Sequence, residues 1–232
     1  MLQVDSLCSG YGSAQVLNGT TLGVTKGEVV ALLGRNGVGK TTLLKTIMDI
    51  IPARSGTVGL DGGVISGKKT FDIARQGIGY VPQGRGIFDK LTVEENLKMG
   101  LRAAATVTAT IPEFLYERFP VLHERKNQIA GTMSGGQKQQ LAISRALCGE
   151  PKLLLLDEPS EGIQPNIVQD IANFIHELAA TRAISTLLVE QNLSLVKGAA
   201  DRILIMVKGE IAYEGVPGDL DDEELLQRYL SV

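Results

Sequence analysis

Apolar residues follow two rhythms along this chain. Short unbroken runs recur, EVVALLG at 28–34, KLLLLDEP at 152–159 and STLLVEQ at 185–191, and DRILIMVKGEIAYEG at 201–215 closes the series. GTVGLDG and IGYVPQ are weaker strand-like runs between them. Runs apolar at every position are strands buried on both faces, as parallel strands are. The second rhythm is helical. In PNIVQDIANFIHELAA (165–180), Ile167, Val168, Ile171, Phe174, Ile175 and Leu178 fall on one face, and KTTLLKTIMDI at 40–50 is also helical. His176 lies beside the apolar stripe and reads as a helix-surface residue. The alternation predicts an α/β fold around a mainly parallel sheet. Residues from about 84 to 150 carry helical patterns (LTVEENLKMGL, IPEFLYERF, QKQQLAISRAL) and no strand-like run. That stretch reads as a helical subdomain inserted into a core of 1–83 and 151–232, all within one domain.

The polar interruptions carry the chemistry. EVVALL runs straight into GRNGVGKT and then a helix, which is the G-x-x-x-x-G-K-[ST] loop in its strand–loop–helix setting. Gly34, Gly37 and Gly39 let backbone N–H groups turn inward around an anion, and the helix N-terminus adds partial positive charge. Asn36 and Thr42 belong to the same segment. In such a loop Lys40 can reach β- and γ-phosphates, and the Thr41 hydroxyl can ligate Mg²⁺. Asp157 ends a buried strand, where a carboxylate without a cation is costly. Glu158 lies one residue beyond and is suited to activate a water. Ser134, Gly135, Gly136 and Gln137 open a further helix, offering N–H donors and a hydroxyl to a phosphate. The P-loop helix already fills one phosphate position, so two readings stand for this second helix start: it serves a nucleotide held by another chain, or it is an ordinary Ser-Gly-Gly helix start, the better reading of the segment taken alone. In STLLVEQN the strand ends abruptly at Glu190–Gln191–Asn192, which places a glutamine at the same edge.

Composition narrows the classes. A hydrophobic fraction of 44% suffices for a full core, and a net charge of −3 gives no reason to expect a nucleic-acid face. Aromatics are scarce at 4%, against stacking on bases or sugars. Cys8 and Cys148 have no metal-ligand spacing and read as reduced apolar groups. Without a signal-like start or an apolar run near ~20 residues, the chain is expected to be soluble and intracellular.

With Gly34–Thr42, Ser134–Gln137 and Leu153–Glu158 in this order, the chain resembles the nucleotide-binding subunit of an ABC transporter over nearly its whole length. The resemblance implies a P-loop NTPase core with an N-terminal antiparallel β portion and an inserted helical subdomain bearing SGGQ. It implies ATP and Mg²⁺ as ligands, with Thr41, Gln83 and Asp157 toward the metal. Gln83, ending YVPQ, matches the glutamine that senses γ-phosphate and leads to the transmembrane partner. Tyr11 in SGYGSAQVL matches the aromatic that stacks on adenine. In the family, SGGQ contacts ATP bound to an opposing subunit, a paralogue or a second copy. Permease subunits and, indirectly, a solute-binding protein complete the assembly, at the cytoplasmic face of the inner membrane. PQGRGIFDKLTVEENL, DEPSEGIQP and LLVEQN are similar to importers for branched-chain amino acids and for urea or short amides. Two positions depart from the common pattern: Gln164 stands where the loop usually has an aspartate, and Gln191 where a histidine is usual. Both departures also occur in those importers. A soluble ABC ATPase acting on nucleic acid or ribosomes is the competing class; such families typically carry a coiled-coil insertion or two such domains. A P-loop kinase has no use for SGGQ, and Glu158 beside Asp157 points to water.

Overall fold

The computed structural model describes residues 1–104 and 110–230. The chain opens with a hairpin, β1 (Leu2–Tyr11) and β2 (Ala14–Val24), turned at Gly12 with φ of 54°. Next come β3 (Val29–Leu33), α1 (Lys40–Ile47), β4 (Ser55–Leu60), β5 (Gly63–Val64), α2 (Thr70–Arg75) and β6 (Ile78–Val81). The middle carries α3 (Val93–Leu101), α4 (Glu113–Arg118), α5 (Pro120–Glu124) and α6 (Gly135–Leu147). The chain returns through β7 (Leu153–Asp157), α7 (Pro165–Arg182), β8 (Ser185–Val189), α8 (Leu193–Ala199), β9 (Arg202–Val207), β10 (Glu210–Gly215) and α9 (Glu223–Tyr229).

Two sheets result. A six-stranded sheet has the order β10-β9-β3-β8-β7-β6, parallel throughout except for the β9–β10 hairpin. An antiparallel four-stranded sheet has the order β2-β1-β4-β5. The apolar runs explain the layering. Along β3, Val29, Ala31 and Leu33 enter one core cluster while Val30 and Leu32 enter another. Along β7, Leu154 and Leu156 go to the first and Leu153 and Leu155 to the second. One face of the large sheet is thus covered by α7, α8 and the middle helices, and the other by α1 and the antiparallel sheet.

Within the described part of 84–150 there are helices and one isolated bridge, Thr92 to Ile129. A capping box starts α3: Thr92 Oγ1 accepts from Glu95 N–H, and Glu95 returns a bond to Thr92 N–H. These helices share the core of the large sheet. Phe119 meets Phe174 of α7 edge-on, with ring centroids 4.9 Å apart, and the Arg118 guanidinium lies 5.3 Å from both rings. His176 is exposed on α7, as its position beside the apolar stripe predicts.

Phe174→Ala empties this junction. A drop of about 3–5 kcal/mol in unfolding free energy is expected in urea titration, with nucleotide affinity nearly unchanged in the molecules that remain folded.

Candidate functional site: a phosphate-loop cleft at the carboxyl edge of the sheet

The parallel strands β3, β6, β7 and β8 end on one edge, and each delivers a different group there. After β3 the chain turns through Gly34, Gly37 and Gly39, whose φ angles are 149°, 79° and 118°. L side chains rarely adopt these conformations. At Gly34 the requirement is also steric, since a Cβ would lie 2.6 Å from the Met206 carbonyl oxygen. The loop feeds α1, whose first residue, Lys40, is only 5% exposed. Its Nζ donates to the carbonyl oxygens of Gly34 at 2.6 Å and Arg35 at 3.0 Å. Burial holds this ammonium below its usual range, while the carboxylates of Glu158, Asp157 and Glu190 draw it part of the way back.

Asp157 is 1% exposed at the end of β7. Thr41 Oγ1 donates to its Oδ1 at 3.0 Å. Burial pushes the carboxyl above the ordinary carboxylate range; Glu158 adds to the shift, and bonds from Thr41 and the Gln83 backbone N–H oppose it. Glu158 follows in the left-handed region, with φ of 49°. Two amides hold its carboxylate. Gln191 Nε2 donates to Oε1 at 2.7 Å, and Gln83 Nε2 donates to Oε2 at 3.3 Å. The same Gln191 nitrogen also donates to Asn36 Oδ1 at 2.7 Å. A chain of hydrogen bonds therefore runs from the phosphate loop through Gln191 and Glu158 to Gln83.

Most of these groups line a cleft of about 680 Å³, within the usual range for ligand sites; Gly34 does not line it, and Asp157 lies beside it in an adjoining hollow shared with Thr41, Tyr80 and Gln83. Asn36, Gly37, Gly39, Lys40, Thr41 and Thr42 line it from the loop, and Gln83, Glu158 and Gln191 from the strand ends. Tyr11 and Val16 come to it from the β1–β2 hairpin, with Tyr11 half exposed. Ser134, Gly135, Gly136 and Gln137 do not line this cleft. They sit beside the loop that follows Glu158: a Cβ on Gly135 would lie 3.2 Å from the Gly162 carbonyl oxygen. Ser134 caps α6 by accepting from Gln137 N–H, whose side chain answers to Ser134 N–H. Gln164 precedes α7 without a side-chain capping bond.

Two neighbours of the cleft were not assigned from the sequence. Glu161 is part of the lining. Glu190, 2% exposed, accepts N–H bonds from Ser160, Gln191 and Asn192. An acid directly after the apolar run Leu187–Val189 is the available signal, because a buried carboxylate must find donors.

A family model for ABC transporters matches residues 17–161, more than half of the chain. The chain belongs to the ABC transporter family. This ABC protein is 43% identical to the high-affinity branched-chain amino acid transport ATP-binding protein BraG of Pseudomonas aeruginosa, over 91% of each chain. It is 34% identical to the lipopolysaccharide export system ATP-binding protein LptB of Haemophilus influenzae, covering 99% of this chain and 97% of that one. A solved ATP-binding cassette of an ABC transporter in its ADP conformation superposes with a TM-score of 0.83 at 28% identity, over 100% of this chain and 99% of the other. The protein is thus an ATP-binding cassette and a transport-coupled ATP hydrolase. Among the described residues no helix is long and apolar enough to cross a membrane.

The raised Asp157 carboxyl sets a pH dependence. Its ionised form is penalised in the folded state, so this group contributes nothing below the unfolded value of about 3.9 and an increasing penalty as pH rises through the folded value. In the nucleotide-free protein, Asp157→Asn is expected to raise the urea midpoint at pH 7, the gain shrinking toward pH 4. A midpoint gain equal at both pH values would contradict the assignment.

Proposed function

We propose that this chain is the ATP-hydrolysing subunit of a membrane importer for branched-chain amino acids. The observation that carries the proposal is the convergence on one cleft of the phosphate loop and an amide-held Glu158, with Thr41 of that loop bonded to Asp157 behind it. BraG supports the solute class, at 43% identity against 34% for LptB. The likeness to LptB, over 99% of this chain, favours export as the second reading, ahead of urea or short amides. ATP-driven leucine uptake by the reconstituted complex separates import from export.

In this proposal Tyr11 stacks on adenine, and the N–H groups of Gly34–Thr42 surround the phosphates. Lys40 exchanges its two loop carbonyls for phosphate oxygens, a replacement favoured by charge. Thr41, Gln83 and Asp157 offer hydroxyl, amide and carboxylate oxygens, a donor set suited to a hard cation. The buried Asp157, short of positive charge, fits Mg²⁺, which when bound neutralises phosphate charge. Glu158 takes a proton from water as its oxygen attacks the γ-phosphorus and the bond to the ADP oxygen breaks, giving ADP and phosphate. Gln191 and Gln83 hold Glu158 in line through their amide protons.

The division into a core of 1–83 and 151–232 with a helical subdomain at 84–150 belongs to the same proposal. Its support is the run of helices α3 to α6. Ser134, Gly135, Gly136 and Gln137 lie outside this chain's cleft and face a nucleotide on a second ABC subunit, a paralogue or another copy. Permease subunits anchor the pair at the cytoplasmic face of the membrane, with a solute-binding protein acting through them; no nucleic acid takes part.

Glu158→Gln keeps the shape and removes the base. ATP binding is expected to survive while turnover falls by roughly two or more orders of magnitude, and the variant should elute as an ATP-filled dimer on sizing with Mg²⁺. Wild-type turnover in this variant removes Glu158 as the base. Gln191→Ala is expected to lower kcat by roughly one to three orders of magnitude with little change in ATP affinity, whereas Gln191→His stays active. Unchanged kcat in Gln191→Ala, measured with the partner subunits present, reduces that residue to a strand cap.

A further inference from the structure

Glu190 is held by three backbone N–H groups, yet nothing in the chemistry above uses it. It lies at the end of β8, next to Gln191, and is 2% exposed. Among the described residues it forms no ion pair. Its Oε1 accepts the Ser160 N–H at 2.8 Å, across 30 residues of chain. Its Oε2 accepts the N–H groups of Gln191 at 2.8 Å and Asn192 at 2.9 Å. One carboxylate therefore bonds two segments: the loop just after Glu158 and the backbone that carries Gln191.

Glu158 lies between two such ties. Its own N–H donates to the Val189 carbonyl oxygen at 2.9 Å, and two residues later the loop is bonded again through Ser160. Between them Glu158 has φ of 49°, a conformation a non-glycine residue keeps only where its surroundings hold it. The Gln191 side chain then meets Glu158 Oε1 at 2.7 Å. An acceptor with two oxygens and no proton is what three converging N–H donors require. A glutamine offers one oxygen, and its NH₂ would confront an N–H.

We propose that Glu190 is a positioning residue, joining the loop after Glu158 to the backbone of Gln191 so that base and amide stay in register during hydrolysis. The proposal rests on the assignment of Glu158 as the base. It also links the loop at 158–164, which packs beside the start of α6, to the residue bonded to the phosphate loop through Asn36. A shift at either end is carried to the other through one side chain.

The test uses the full chain with its partner subunits and ATP. In Glu190→Gln, kcat is expected to fall roughly ten- to a hundredfold with KM for ATP changed less than about threefold. Glu190→Asp, which keeps both acceptor oxygens one methylene short, should recover part of the loss. Adding Glu190→Gln to Glu158→Gln should cost nothing more, because both act on one step. A purely structural Glu190 predicts a lower melting temperature with wild-type kcat per folded molecule, and that result overturns the proposal. Wild-type turnover in Glu158→Gln would instead remove the base assignment, a failure seen without any Glu190 variant. If Glu190→Gln does not fold, hydrogen exchange on the wild-type, nucleotide-free protein decides. Slow exchange at the Ser160, Gln191 and Asn192 amides supports the tie, and exchange at free-loop rates refutes it.

Discussion

Both faces of the central strands β3, β7 and β8 are buried, so polar groups can leave these strands for solvent only where the strands end. Alternate leucines of β7 and alternate residues of β3 point into opposite cores, leaving no position along either strand for a charge. At the carboxyl edge that restriction lifts at once: Leu33 is followed by the phosphate loop, Val81 by Pro82–Gln83, Leu156 by Asp157–Glu158, and Val189 by Glu190–Gln191. Parallel pairing fixes these ends side by side, in the order β3, β8, β7, β6. The cleft follows from the layering, and its chemistry from which residue each strand carries one step past its last apolar position.

Three acids crowd this edge against Lys40, and each is accommodated differently. Asp157 is buried among neutral donors, the Thr41 and Tyr80 hydroxyls and the Gln83 backbone N–H, and burial pushes its carboxyl upward. Glu158 is held by two side-chain amides. Glu190 accepts three backbone N–H groups. A carboxylate fixed by backbone donors has little freedom to change partners, whereas one held by side-chain amides can exchange them for a water or a phosphate oxygen. The mobile acid therefore suits chemistry and the immobile one suits geometry. Lys40 illustrates the same distinction, since its carbonyl partners are neutral and yield readily to an anion.

Much of this was legible from residue order. The unbroken run Leu153–Leu156 marks a doubly buried strand, the glycine spacing before Lys40 marks the loop, and Asp157–Glu158 marks the strand end. Local pattern is enough for these, because each depends on residues within one turn or one strand. Non-local pairing is not legible in that way. Val4 opposite Val58, or Leu2 opposite Leu60, requires chain segments more than fifty residues apart to find a register that no short window encodes. Glu190 was hidden for the same reason: one of its partners is a backbone N–H at Ser160, and a backbone donor leaves no trace in residue identity. Gln191 was visible at a strand mouth, but its bond to Asn36 spans 155 residues.

That bond explains why an amide suits the position. Gln191 Nε2 carries two hydrogens and spends one on Asn36 and the other on Glu158, both at 2.7 Å. A ring nitrogen of histidine carries a single hydrogen, so it cannot bridge two acceptors from one atom, and its charge changes near neutral pH. The glutamine stays neutral at every pH where the protein folds, and can release one acceptor for a phosphate oxygen while keeping the other. If Asn36 is the one released, Glu158 remains aligned as substrate arrives. If Glu158 is released, the carboxylate proposed as the base is freed while the phosphate loop stays tied. Either exchange passes through one side-chain nitrogen of a residue whose backbone N–H already donates to Glu190, so the side chain swings about an anchored point.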